Sequence, residues 1–173
     1  MQETATKMAG KLAEAEDALQ LVGFTVAGEL FGVDILMVQE IIKDISITPI
    51  PDAPEFIEGV INLRGNIIPI IDLHKRLKLN SANKAADEET WMVVLNINDR
   101  VTGFIVDHVT RVIKVPADAV KPPPDMVVAG LKSDYINGVC KLDEQLLAIL
   151  DFNRILVVEE FKKLGALKRQ KVH

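Results

Sequence analysis

The chain has 173 residues, 49% of them apolar, and carries a formal net charge of −5 with one Trp and one Tyr. That length and apolar content bury one ample core or two small ones and exclude disorder throughout. An acidic chain with so few stacking aromatics is not a nucleic-acid module, and a single cysteine excludes a disulfide within one chain.

Residues 1–20 are rich in Ala, Glu and Lys and read as a flexible or helical N-terminal arm. They carry no charged-then-apolar leader, and no later apolar run reaches membrane-spanning length, so a cytoplasmic protein without membrane insertion is expected. Residues 21–26 and 30–34 are expected to pair as a hairpin around Ala27-Gly28-Glu29. In residues 35–42 the spacing of Ile35, Val38, Ile41 and Ile42 suits a helix, yet a strand is equally compatible. Pro49, Pro51 and Pro54 then impose an extended connector over residues 47–55.

Residues 60–63 and 67–73 are two apolar strands joined by Arg64-Gly65-Asn66. Gly65 suits a turn position of positive φ and Asn66 tolerates one. Pro69 points to an edge strand or a bulge. An arginine at such a tip faces a partner, not a core. Polar residues 80–90 read as a mobile loop, followed by strands at 91–97, 101–107 and 109–115.

The hairpin recurs 79 positions later: Gly59, Val60, Leu63, Ile70, Asp72 and Leu77 match Gly138, Val139, Leu142, Ile149, Asp151 and Leu156. An earlier pair of segments also aligns, with Gly32 opposite Gly103 and Val38 opposite Val109. A second proline connector at residues 121–125 extends the echo, so the chain reads as two related β modules. The copies differ at the tip, where Asp143-Glu144 replaces Arg64-Gly65.

Enzyme readings find little support. His74, His108 and His173 lack metal-ligand spacing and read as surface residues; no Gly-rich phosphate loop occurs. Cys140, in an apolar strand, reads as a small buried hydrophobe. Asp34, Asp72, Asp107 and Asp151 end apolar strands, where they are expected to cap turns. Neither a metal nor a cofactor is expected. Residues 158–173, with Phe161, Leu164 and Leu167 among lysines, read as an amphipathic helical tail with a basic end.

Phe31-Gly-Val-Asp-Ile, Val38-Gln-Glu-Ile, Ile47-Thr-Pro-Ile-Pro, Gly59-Val-Ile-Asn-Leu-Arg-Gly, Ile67-Ile-Pro-Ile-Ile-Asp-Leu and Gly103-Phe-Ile-Val-Asp, six blocks in order, resemble the CheW family of chemotaxis coupling proteins. The resemblance implies an all-β fold of two SH3-like five-stranded β-barrels with short helices, intertwined over residues 21–157 and split near residues 80–95. It implies a non-catalytic adaptor, a monomer when alone, that joins the cytoplasmic tips of chemoreceptors to the C-terminal regulatory domain of the histidine kinase CheA within receptor arrays. Receptor-side residues carried over are Val38, Glu40, Gly59, Asn62, Arg64 and Gly65. Kinase-side residues carried over are Val33, Ile35, Gly103, Lys121 and Met126. Arg64 and Glu40 are expected either to pair in the free protein or to remain separately solvated. His74 departs from the family pattern, where an arginine commonly follows Asp-Leu. Two alternatives are a small-molecule-binding β-barrel, which needs an apolar cavity, and the coupler of a non-flagellar chemosensory pathway.

Overall fold

The computed structural model describes residues 18–79, 91–123 and 135–156. The N-terminal arm, the 80–90 loop, Met126 and the basic tail fall outside the described residues, apart from Ala18–Gln20 at the arm's end.

Ten strands run in chain order: β1 (Ala18–Val26), β2 (Glu29–Asp34), β3 (Val38–Lys43), β4 (Ile57–Leu63), β5 (Asn66–Asp72), β6 (Trp91–Ile97), β7 (Arg100–Val106), β8 (His108–Pro116), β9 (Ile136–Leu142) and β10 (Gln145–Leu150). Two four-residue helices, α1 (Leu73–Arg76) and α2 (Phe152–Ile155), follow β5 and β10. The ambiguous segment after β2 resolves into both forms: a 3-10 turn at Ile35–Met37 capped by Asp34, whose Oδ1 accepts from Leu36 N at 2.9 Å, and then β3.

The strands form two five-stranded sheets, ordered β8-β1-β2-β10-β9 and β3-β6-β7-β5-β4. Exchanging β1–β5 with β6–β10 converts one order into the other, so the sequence repeat is also a structural one. The repeat unit is nevertheless not the folding unit. Each sheet takes two strands from one half and three from the other, and the chain passes between sheets at Ile35–Met37 and at Asp107. Residues 80–90 join two strands of a single sheet.

Each sheet rolls until its edges meet. Thr48 and Val60 exchange both backbone hydrogen bonds at 2.9 Å, which ties the connector after β3 to the opposite edge strand β4. Lys121 and Val139 do the same for β8 and β9. Gly59 makes the first closure possible: a Cβ there would lie 2.1 Å from Thr48 O, and its φ is +151°.

Ile61, Ile68, Ile70, Met92, Val94 and Ile105 fill one barrel. Leu21, Leu30, Ile113, Val115, Cys140, Leu147 and Ile149 fill the other. A larger third cluster, including Phe24, Phe31, Ile71, Val93, Phe104 and Phe152, draws on both sheets and joins the barrels. Central strands are thus buried on both faces, which accounts for near-continuous apolar runs such as that of β5. Pro69 sits in this internal strand, not at an edge as expected. Pairing of β5 with β7 begins only at Ile70, so the missing N–H of Pro69 falls where that ladder has not yet started.

Candidate functional site

At the β4–β5 tip the connection is a two-residue turn, because Leu63 and Asn66 already pair. Arg64 and Gly65 both have positive φ, at 53° and 86°, the pattern of a turn whose twist matches its strands. Gly65 takes this conformation at little cost; Arg64 does so at about 1 kcal/mol. Asn62 supports the tip, its Oδ1 accepting from Gly65 N at 3.0 Å.

Arg64 then reaches across the barrel seam to β3. Its Nη2 donates to Glu40 Oε1 at 3.1 Å, with the Arg64 side chain 75% exposed and that of Glu40 25% exposed. β3 and β4 are opposite edges of their sheet, so barrel closure brings this pair together. A pair this exposed contributes under about 1 kcal/mol, and breaking it for a partner costs little. Ile41 and Ile67, exposed on β3 and β5, add apolar surface. Val38 is half-buried beside them in sequence, and Gly59 is buried at the Thr48 closure, so Gly59 shapes the barrel rather than offering contact surface.

The kinase-side residues do not form one surface. Val33 is 1% exposed, inside the shared core. Gly103 is buried too, where a Cβ would meet Ile70 Cδ1 at 2.5 Å. Ile35 is half-buried and packs on the core, while its neighbour Leu36 is 90% exposed in the middle of the 3-10 turn. The resemblance carries over Val33 and Ile35 and not Leu36, and spacing that leaves helix and strand open does not show which side chain of the segment stands out. Lys121 is exposed and donates to Asp118 O at 3.3 Å.

His74 is buried, contrary to its reading as a surface residue. Its Nδ1 lies 3.3 Å from Asp72 Oδ1 and its Nε2 2.9 Å from Asp107 Oδ1, an ion-pair distance without hydrogen-bond alignment. Asp72 also caps α1 through His74 N at 2.9 Å. Asp107 Oδ2 accepts from Ala27 N, in the β1–β2 turn of the other sheet, at 2.8 Å. Asp107 therefore ties turns rather than capping one, and the three side chains link the two barrels. The hydrogen bond to Asp72 holds the His74 pKa above its ordinary value; burial opposes this, and the Asp107 charge reinforces it. Burial alone would raise the Asp72 pKa, but the hydrogen bond and charge of His74 outweigh it and hold it low.

Burial also raises the thiol pKa of Cys140, which lies 4% exposed in its barrel core as expected. Among the described residues no group of His, Cys, Asp and Glu is placed to hold a metal ion. No helix among them is long and apolar enough to cross a membrane. Filled barrel interiors disfavour the ligand-binding alternative.

The chain matches the CheW-like domain family over residues 20–160. It is 40% identical to the chemotaxis protein CheW of Treponema pallidum over 158 residues, covering 90% of this chain and 92% of that one. It is 40% identical to CheW of Klebsiella aerogenes over 157 residues, covering 91% and 90%. The crystal structure of a CheW scaffolding protein from Thermoanaerobacter tengcongensis superposes with a TM-score of 0.73 at 39% identity, covering 82% of this chain and 90% of that one. With its two exchanged five-stranded barrels and this breadth of similarity, the chain belongs to the CheW family of chemotaxis coupling proteins.

Proposed function

We propose that this adaptor joins the cytoplasmic tips of chemoreceptors to the regulatory domain of the histidine kinase CheA through two separate surfaces. The observation that carries the receptor surface is Arg64, exposed at a strained turn, supported by Asn62 and loosely held by Glu40 across the seam. A receptor carboxylate placed at the tip would displace Glu40 and take up a preoriented guanidinium, with Ile41 and Ile67 as apolar anchors. The kinase surface centres on Leu36 with Ile35 beneath it; Val33 and Gly103 act from within by holding β2 and β7 in place. The protein works as a scaffold without chemistry of its own and is drawn to membrane arrays by these partners.

A pull-down with a receptor signalling tip and the kinase regulatory domain tests this. Arg64→Asp is expected to lose the receptor and keep the kinase, and aspartate tolerates the positive φ of that turn. Binding of neither partner by the unaltered protein would overturn the reading.

A further inference from the structure

We infer that the seam of the second barrel is a second docking groove, and that its occupant is a basic, apolar-faced peptide segment of a partner protein. The groove is about 350 Å³ and runs from β8 to the β9–β10 tip. Leu30, Ile113 and Leu142 supply its apolar lining, Arg111 stands on the β8 side, and Asp143 and Glu144 form the tip.

Its position follows from the exchanged repeat. In the alignment that sets Val38 opposite Val109, Arg111 occupies the place of Glu40; Asp143 occupies the place of Arg64. The exposed apolar residues repeat as well. Five large hydrophobic residues are exposed among the described residues, and four of them form two equivalent pairs, Ile41 with Val112 and Ile67 with Leu146. Strand propensity favours β-branched residues at such positions, but it does not require large apolar side chains to recur exposed beside both seams, and their recurrence there marks two equivalent apolar rims.

Charge selects the occupant. The first seam presents a cation at its tip and an anion on its strand; the second presents the reverse. Arg64 and Glu40 engage each other, whereas among the described residues no hydrogen bond or ion pair engages the side chains of Arg111, Asp143 or Glu144. A lysine or arginine set against Asp143 and Glu144, with leucine-like anchors over Leu30, Ile113 and Leu142, complements this groove. An acidic segment meets two like charges at the tip against the single opposite charge of Arg111, so the balance favours the basic one.

The test is a titration of the isotope-labelled full chain with a synthetic peptide of leucines and lysines at helical spacing, and with its twin carrying glutamates for lysines. The lysine peptide is expected to shift the amides of Leu30, Ile113, Leu142 and Gln145, and the glutamate peptide to leave them in place. Replacing Asp143→Asn and Glu144→Gln together is expected to weaken binding roughly tenfold. Asparagine suits the positive φ of position 143, so the turn survives this change. Arg64→Asn, which removes the first tip's cation without adding an anion and suits its positive φ, is expected to bind the lysine peptide unchanged, which separates this groove from the receptor surface. Equal response to both peptides, shifts centred elsewhere, or affinity indifferent to the paired replacement would overturn the inference. Shifts at these residues that depend on protein concentration before any peptide is added would also overturn it, by assigning the groove to a second copy of the chain.

Discussion

At the first seam a long cation on a hairpin tip pairs with an anion on the facing edge strand; at the second seam the same two places carry the opposite charges and stay apart. Beneath them the two closures are nearly the same. Each has a glycine against a proline-flanked connector, a paired backbone bridge, and an aspartate that caps the following short helix. What holds a barrel shut recurs in both halves, and what faces outward has diverged. A second contrast lies at equivalent positions after those aspartates. His74 is buried between Asp72 and Asp107, while Asn153 is exposed and accepts from Asn98 Nδ2 at 2.7 Å.

The largest expected effect tests whether the closures are equally tight. Gly59→Ala drives a Cβ into the Thr48 carbonyl at a strained φ and is expected to destabilise by about 4 kcal/mol. Gly138→Ala meets chiefly Val120 Cγ1, which yields more readily, and should cost about 1–2 kcal/mol. Denaturant unfolding of the two variants compares them directly; equal losses would contradict the asymmetry.

Next comes the histidine node. His74→Leu leaves Asp72 and Asp107 facing each other without the intervening cation and is expected to cost about 3 kcal/mol, whereas Asn153→Leu should change stability by less than about 0.5 kcal/mol. The node also sets a pH dependence. With its folded pKa raised above 6.5, His74 contributes its full stabilisation below about pH 6.5 and loses it as pH rises through the folded value. Asp72, held below its usual 3.8, contributes above that value and loses its share as pH falls through the folded pKa. Thermal unfolding should therefore show a Tm that declines as pH rises above about 6.5 in the unaltered protein. That decline should flatten in His74→Leu.

The smallest effects on stability belong to the outward residues. Leu36→Asp and Arg64→Asp are each expected to change unfolding free energy by under about 0.5 kcal/mol. Their binding losses should be selective: Leu36→Asp weakens kinase binding by about tenfold or more with receptor binding kept, as removal of an apolar anchor predicts. Calorimetric titration of each variant against each partner would show this, and loss of both partners from either variant would merge the two surfaces into one.

Much of this architecture was legible before any coordinates. Alternating and continuous apolar runs marked nearly every strand, and the repeat marked the equivalence of the two halves; the aspartates at strand ends pointed to capped turns, and two of them, Asp72 and Asp151, cap short helices instead. The resemblance placed Arg64, Glu40, Asn62 and Gly65 together, and the structure brings these four to one tip. Which of Val33 and Ile35 faces outward is not legible in the sequence, because a strand's pattern shows that its faces differ, but not that a second barrel covers the remaining face. His74 was read as exposed because its two acidic partners include one 33 positions away, at the passage between sheets.

By itself the sequence determined most of the strands, their duplication and the opposite charges of the two tips, since these depend on local periodicity, turn chemistry and residue identity. Only the tertiary structure decided that the halves exchange strands, that β3 and β4 meet so that Arg64 reaches Glu40, and that Leu36 stands out where Val33 is enclosed. Those outcomes depend on strand pairings between distant residues and on the packing of one barrel on the other, which local pattern does not encode.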